Sequence, residues 1–151
     1  MTFSGSKHYP KNSALKFWES LGAKYGENIN AYTTDDRTVY SVSLSNVNTE
    51  QVAKTIHILS DWLYYMDITT QAVEKERKII TQEIASYKPY KDLNPIMVGY
   101  DKQLMRFPIG TKVQIAKVTP KKLRSFYEKW YTPQNASLIV IGNIEPQATE
   151  K

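Results

Sequence analysis

Glu76 and Glu83 are the two side chains of this sequence whose spacing points most directly to chemistry. In the stretch Val73-Glu-Lys-Glu-Arg-Lys-Ile-Ile-Thr-Gln-Glu-Ile84, a helical step of 100° per residue puts Ala72, Glu76, Ile79, Glu83 and Tyr87 within about 40° of a common direction. Both acids are therefore expected on a face shared with apolar residues. Burying an ionised carboxylate is costly unless a cation or good hydrogen bonds compensate, so the placement reads either as a paired structural acid or as a site. Seven residues rise about 10.5 Å along a helix, too far for both carboxylates to grip one ion. If a metal is bound, one acid ligates it and the other supports.

The elements that must position these acids are set by periodicity and punctuation. Ser13 is expected to cap a helix carrying Ala14, Leu15, Phe17, Trp18 and Leu21, ending by Gly22 to Gly26. Ile29 to Thr34 and Thr38 to Ser45 alternate with period two around an Asp35-Asp36 turn, the pattern of a hairpin. Asn48 and Gln51 form a capping box ahead of a one-faced helix with Val52, Ile56, Leu59, Leu63 and Met66. His57 lies one residue from that stripe and reads as a packing histidine rather than a ligand. Thr69 or Thr70 opens the acidic helix and Pro89 stops it. Asn94-Pro95 starts another, with Ile96, Tyr100 and Leu104 on one face. Thr119-Pro120 opens a last one, with Leu123, Phe126, Tyr127 and Trp130 as its buried stripe. Ala136 to Ile141 is expected as a strand ended by Gly142. Helices clustered between antiparallel strands imply an α+β fold, one antiparallel sheet covered by helices in two layers.

The bulk properties exclude several classes. The 151 residues carry 20 Lys and Arg against 15 Asp and Glu, a net +5, but the basic residues are scattered, so no nucleic-acid surface is expected. No apolar run reaches membrane-spanning length, so no membrane partner is expected. The absence of cysteine excludes disulfides, thiolate zinc sites and thiol catalysis. The two histidines, His8 and His57, stand too far apart to form a metal-type pair, and His8 sits in a loop beside Tyr9-Pro10.

Seven short segments, in order, are similar to the pitrilysin/insulinase family of zinc metallopeptidases, which includes the mitochondrial processing peptidases. They are Met1-Thr-Phe-Ser-Gly-Ser-Lys-His-Tyr-Pro10, Leu21-Gly22, Asn30-Ala31-Tyr32-Thr33, Thr38-Val39-Tyr40, Ile58-Leu-Ser-Asp-Trp62, Glu74-Lys-Glu-Arg77 with Gln82-Glu83, and Tyr131-Thr-Pro-Gln-Asn135 leading into Leu138-Ile-Val-Ile-Gly-Asn143. The resemblance covers nearly the whole chain. It implies a peptidase whose zinc is held by an inverted His-x-x-Glu-His motif and a distal Glu. Glu83 matches that distal ligand, and Glu76 matches the acid that supports it. Asn30, Ala31, Tyr32 and Thr33 match an edge strand that binds extended peptide by β-augmentation.

One departure from the family is large. No His-x-x-Glu-His occurs in these residues, and in the family Met-x-Phe-x-Gly comes directly after that motif's second histidine. The resemblance therefore implies a partial peptidase domain over 1–144, without initial strands or zinc-motif helix, and a tail over 145–151. The expected function is that of a piece of a zinc metalloendopeptidase acting on peptides or unfolded polypeptides, inactive as this chain, with no catalytic residue of its own. The alternative is a non-catalytic peptide-binding or partner subunit of the same family. Zinc belongs to the intact enzyme and is not expected to bind this chain tightly. Expected partners are extended peptide, the remaining domains or a subunit of the family, and a second copy through the uncovered sheet edge. Bacterial cytoplasm and periplasm both remain open.

Overall fold

The computed structural model describes residues 2–86 and 108–149, so the expected helix at 94–104, Tyr87 on the acidic face and the stop at Pro89 lie outside the described residues. Residues Thr2–Ser4 form a 3-10 turn, followed by α1 (Ser13–Ser20), β1 (Ile29–Thr33), β2 (Thr38–Val42), α2 (Thr49–Tyr64) and α3 (Thr70–Ser86). After the undescribed stretch come α4 (Lys112–Ala116), α5 (Pro120–Trp130), a 3-10 turn at Pro133–Asn135 and α6 (Pro146–Thr149). The strands form an antiparallel hairpin that pairs Ile29 with Val42 and Thr33 with Thr38. Helices with a small antiparallel sheet make an α+β fold.

Caps fall where local chemistry puts them. Asn48 and Gln51 exchange both capping-box hydrogen bonds, each of 2.9 Å. The Lys122 amide donates to the Thr119 hydroxyl over Pro120 at the first helical position. The Ala72 amide donates to the Thr69 hydroxyl at the start of α3. At α1 the first residue outside the helix is Asn12 rather than Ser13, and the Ser13 hydroxyl is buried without a partner. Gly22, at φ 85°, ends that helix: its amide reaches Glu19 while the Ala23 amide reaches Trp18.

The core gathers Ala14 and Trp18 of α1, Ala23, Ile29 of β1, and Ile58 and Trp62 of α2. Trp62 is its hub, edge-on to Trp18 at 5.3 Å and to Phe3 at 5.2 Å. That hub corrects two expected faces. In α2 the buried side carries Ile58, Asp61 and Trp62, turned by about 135° from Val52, Ile56, Leu59 and Leu63, because the two tryptophans pack on each other. His57 is consequently exposed and is not a packing histidine.

A smaller offset, of about 100°, recurs in α3. Its inward side is Val73, Arg77, Ile80 and Ile84, while Ile79 and Glu83 are exposed and Glu76 is half-buried. Two further expectations are corrected on the far side of the molecule. Phe126 and Trp130 of α5 are about half exposed, since no described element covers them; Tyr127 turns inward instead. Ala136 to Ile141 runs without helix, turn or bend but has no ladder partner among the described residues, so it is not a strand. Ile139 and Ile141 stand 78% and 92% exposed there.

Candidate functional site

The acidic face of α3 lies against the start of the chain. The Ser4 hydroxyl donates to Glu76 Oε1 at 3.4 Å, tying the first 3-10 turn to the helix. Seven residues on, Glu83 is open to solvent. Its exposure removes the burial penalty that its sequence position implies, because the inward face is set by Val73, Ile80 and Ile84, each one residue along from the expected stripe.

Arg77 fixes the setting of α3. Its guanidinium donates to the carbonyls of Ile115 and Val118, the second at 2.6 Å, and pairs with Glu74 at 3.1 Å. A cation on the last carbonyls of α4 also suits the negative end of that helix. The acidic helix is thus held from both sides, by Ser4 on one and by the α4–α5 turn on the other.

Among the described residues no three His, Asp or Glu side chains come together in a way that could hold an ion. His8, one of only two histidines, is committed elsewhere: its amide donates to Asp61 Oδ2 at 3.1 Å, and its Nδ1 lies 2.5 Å from Asp61 Oδ1. A single carboxylate such as Glu83 falls short of the three protein ligands a catalytic zinc needs.

The Asp61 position is what sequence patterning misses. Asp61 is 5% exposed inside the core face of α2. Burial alone would push its carboxyl up. The His8 amide and ring, together with the Ser6 hydroxyl, which is near enough to be felt without a well-formed bond, hold it below the usual carboxylate range instead. The signal available was an acid beside a large aromatic, Asp61-Trp62, one helical turn after Ile58. Around this joint the loop closes on the end of α2: the Lys7 amide donates to Tyr65 and the Asp67 amide to Gly5. Tyr127 completes it, its hydroxyl donating to the Trp62 carbonyl at 2.8 Å and accepting from the Met66 amide at 3.0 Å.

The edge of β1 supplies the second half of the candidate site. Across the hairpin the Ser43 amide donates to Asn28 and the Thr34 amide to Arg37, so the even residues of β1 turn their main-chain groups toward β2. Alternation then turns those of Ile29, Ala31 and Thr33 outward. Ile29 is already used, donating to the Lys24 carbonyl and accepting from the Gly26 amide. Asn30, Tyr32 and Thr33 are exposed and Ala31 half-buried, and beyond Ile29 no strand among the described residues pairs with this edge.

Comparison with known proteins gives this arrangement its context. The family model for insulinase, peptidase family M16, matches residues 1–96, and that for the M16 inactive domain matches residues 117–151. The probable zinc protease PqqL of Escherichia coli strain K12 is 35% identical over 150 residues, which are 96% of this chain and 16% of PqqL. The crystal structure of the first half of that periplasmic protease matches with a TM-score of 0.80 at 34% identity, covering 89% of this chain and 30% of the other. A mutant of the ferredoxin protease FusC, in complex with Arabidopsis ferredoxin, matches with a TM-score of 0.80 at 26% identity, covering 99% of this chain and 17% of the other. The chain therefore spans a small part of the relatives it matches, and those relatives have further domains. With a family model over most of its length and zinc proteases among its relatives, the chain belongs to the insulinase family of zinc metallopeptidases, peptidase family M16.

Proposed function

We propose that this chain is one piece of a zinc metalloendopeptidase that cleaves peptides or unfolded polypeptides, and that it is inactive alone. The observation that carries this reading is the Ser4–Glu76 hydrogen bond. By resemblance, the residues around Ser4 come after the zinc motif and Glu76 supports the distal ligand, and the two are in contact. Glu83 is then the distal zinc ligand, exposed toward groups that these residues do not include, and Glu76 supports it. The other ligands and the general base come from residues beyond the 151 present. Residues 1–144 act as a partial peptidase domain and 145–151 as its tail, completed by further domains or a partner subunit. The Asn30–Thr33 strand takes an extended peptide along its edge. The periplasmic location of PqqL favours the bacterial periplasm over the cytoplasm for this chain. The reading is tested by adding zinc and an unfolded peptide to the purified chain. It predicts no hydrolysis, and zinc-dependent hydrolysis lost in Glu83→Gln would refute it.

A second reading, a non-catalytic peptide-binding subunit, is favoured by the open β1 edge, which needs no metal to bind. The two separate on the DNA just upstream of the Met1 codon. A His-x-x-Glu-His sequence ending there, in frame or shifted once, supports the enzyme; a different sequence supports the subunit.

A further inference from the structure

The peptide ledge is shorter than the strand that carries it. Of the three outward residues of β1, Ile29 is closed off by the Lys24–Gly26 loop, which leaves Ala31 and Thr33. These two present four main-chain groups, spaced as alternate residues of an incoming strand would be, about 6.6 Å apart. Among the described residues one of the four is occupied. The Ala31 amide donates to Oδ1 of its own neighbour, Asn30, at 2.8 Å.

Resting on the peptide-edge reading above, we propose that the Asn30 side chain is a gate on this ledge, holding the Ala31 amide until an extended peptide displaces it. An unpaired edge N–H is a template for unwanted strand pairing, and a side-chain acceptor on the preceding residue masks it without adding a strand. Asn30 is exposed, so no packing holds the masked pose and the side-chain amide swings aside at small cost. In the antiparallel sense one peptide residue then supplies both a carbonyl to the Ala31 amide and an N–H to the Ala31 carbonyl, and the residue two along does the same at Thr33. The ligand class implied is a polypeptide extended over at least three residues and without proline opposite Ala31. Exposed Tyr32, on the same face as Asn30, offers an aromatic surface to its side chains.

Amide exchange followed by NMR tests the gate on the whole chain, with Asn30→Ala and Asn30→Asp as variants. Losing a solvent-exposed side-chain acceptor should speed exchange at Ala31 about two- to tenfold in Asn30→Ala. Asn30→Asp, which keeps an acceptor, should stay at the wild-type rate. The ligand probe is a capped heptapeptide alternating threonine and valine with lysine at each end. It should shift the Ala31 and Thr33 amides and bind Asn30→Ala about two- to tenfold more tightly than wild type. An unchanged Ala31 rate, or equal affinity for both chains, overturns the gate. Faster Ala31 exchange with no peptide-induced shift would uphold the masking bond and refute the peptide ledge itself.

Discussion

At the scale of the residue, Asp61 governs more of the fold than either acid that the sequence brings forward. Among the described residues it is the one buried carboxylate, and it ties the His8 loop to α2. Its folded pKa is lowered, so the stability it contributes is complete above the unfolded value near 3.9 and is lost as pH falls through the lower folded value. Asp61→Asn should cost about 1.5–3 kcal/mol at pH 7, the range for hydrogen bonds to a charged group. In urea unfolding the gap between wild type and variant should begin to narrow below about pH 4, where the unfolded carboxylate takes up its proton, and should go on narrowing as pH falls through the lower folded value. A gap of equal size at pH 3 and pH 7 would refute the assignment. Glu83, by contrast, reads in the sequence as a buried acid and is exposed in the fold, since periodicity locates a face only to within a residue, and one residue is 100°.

At the scale of the element, boundaries were far more legible than faces. The Asn48 capping box, the Thr119-Pro120 start and the hairpin all depend on neighbours within a few residues, so local sequence contains their whole cause. The inward faces of α2 and α3 depend on which partner arrives from elsewhere, and the Trp18–Trp62 contact spans two helices. Ala136 to Ile141 has strand chemistry but no strand beside it among the described residues, and β-propensity without a partner makes no ladder. Two substitutions test these distinctions. Asn48→Ala removes a cap and should cost about 1 kcal/mol. Tyr127→Phe removes both the donor to Trp62 and the acceptor for Met66 across 65 and 61 residues of chain, and should cost about 1–3 kcal/mol for the two part-buried hydrogen bonds lost. Chemical denaturation of each variant checks the order, and a Tyr127→Phe protein no less stable than Asn48→Ala would contradict it.

At the scale of the whole molecule, one end is well packed and the other is open. The core around Trp62 is closed by α1, the hairpin and α2, while Phe126, Trp130, Leu138, Ile139 and Ile141 lie uncovered. No charged residue falls between Trp130 and Ile144 to discourage strand pairing there. Purified at tens of micromolar, the chain should therefore self-associate, with apparent mass rising with concentration in sedimentation. Replacing Ile139 and Ile141 together by Lys should return it to a monomer, and a wild-type chain that stays monomeric throughout would sink that expectation.

The family relationship was legible because short segments kept their order along the whole chain, even though no single one decides it. The sequence itself holds two histidines and no inverted zinc motif. What the structure adds is the contact between Ser4 and Glu76 and the open edge at Ala31 and Thr33. The most direct test of the account is hydrolysis of an unfolded fluorogenic peptide by the purified 151-residue chain with zinc supplied. The expected result is no turnover above the protein-free control, with Glu83→Gln indistinguishable from wild type. Zinc-dependent cleavage that Glu83→Gln abolishes would contradict it.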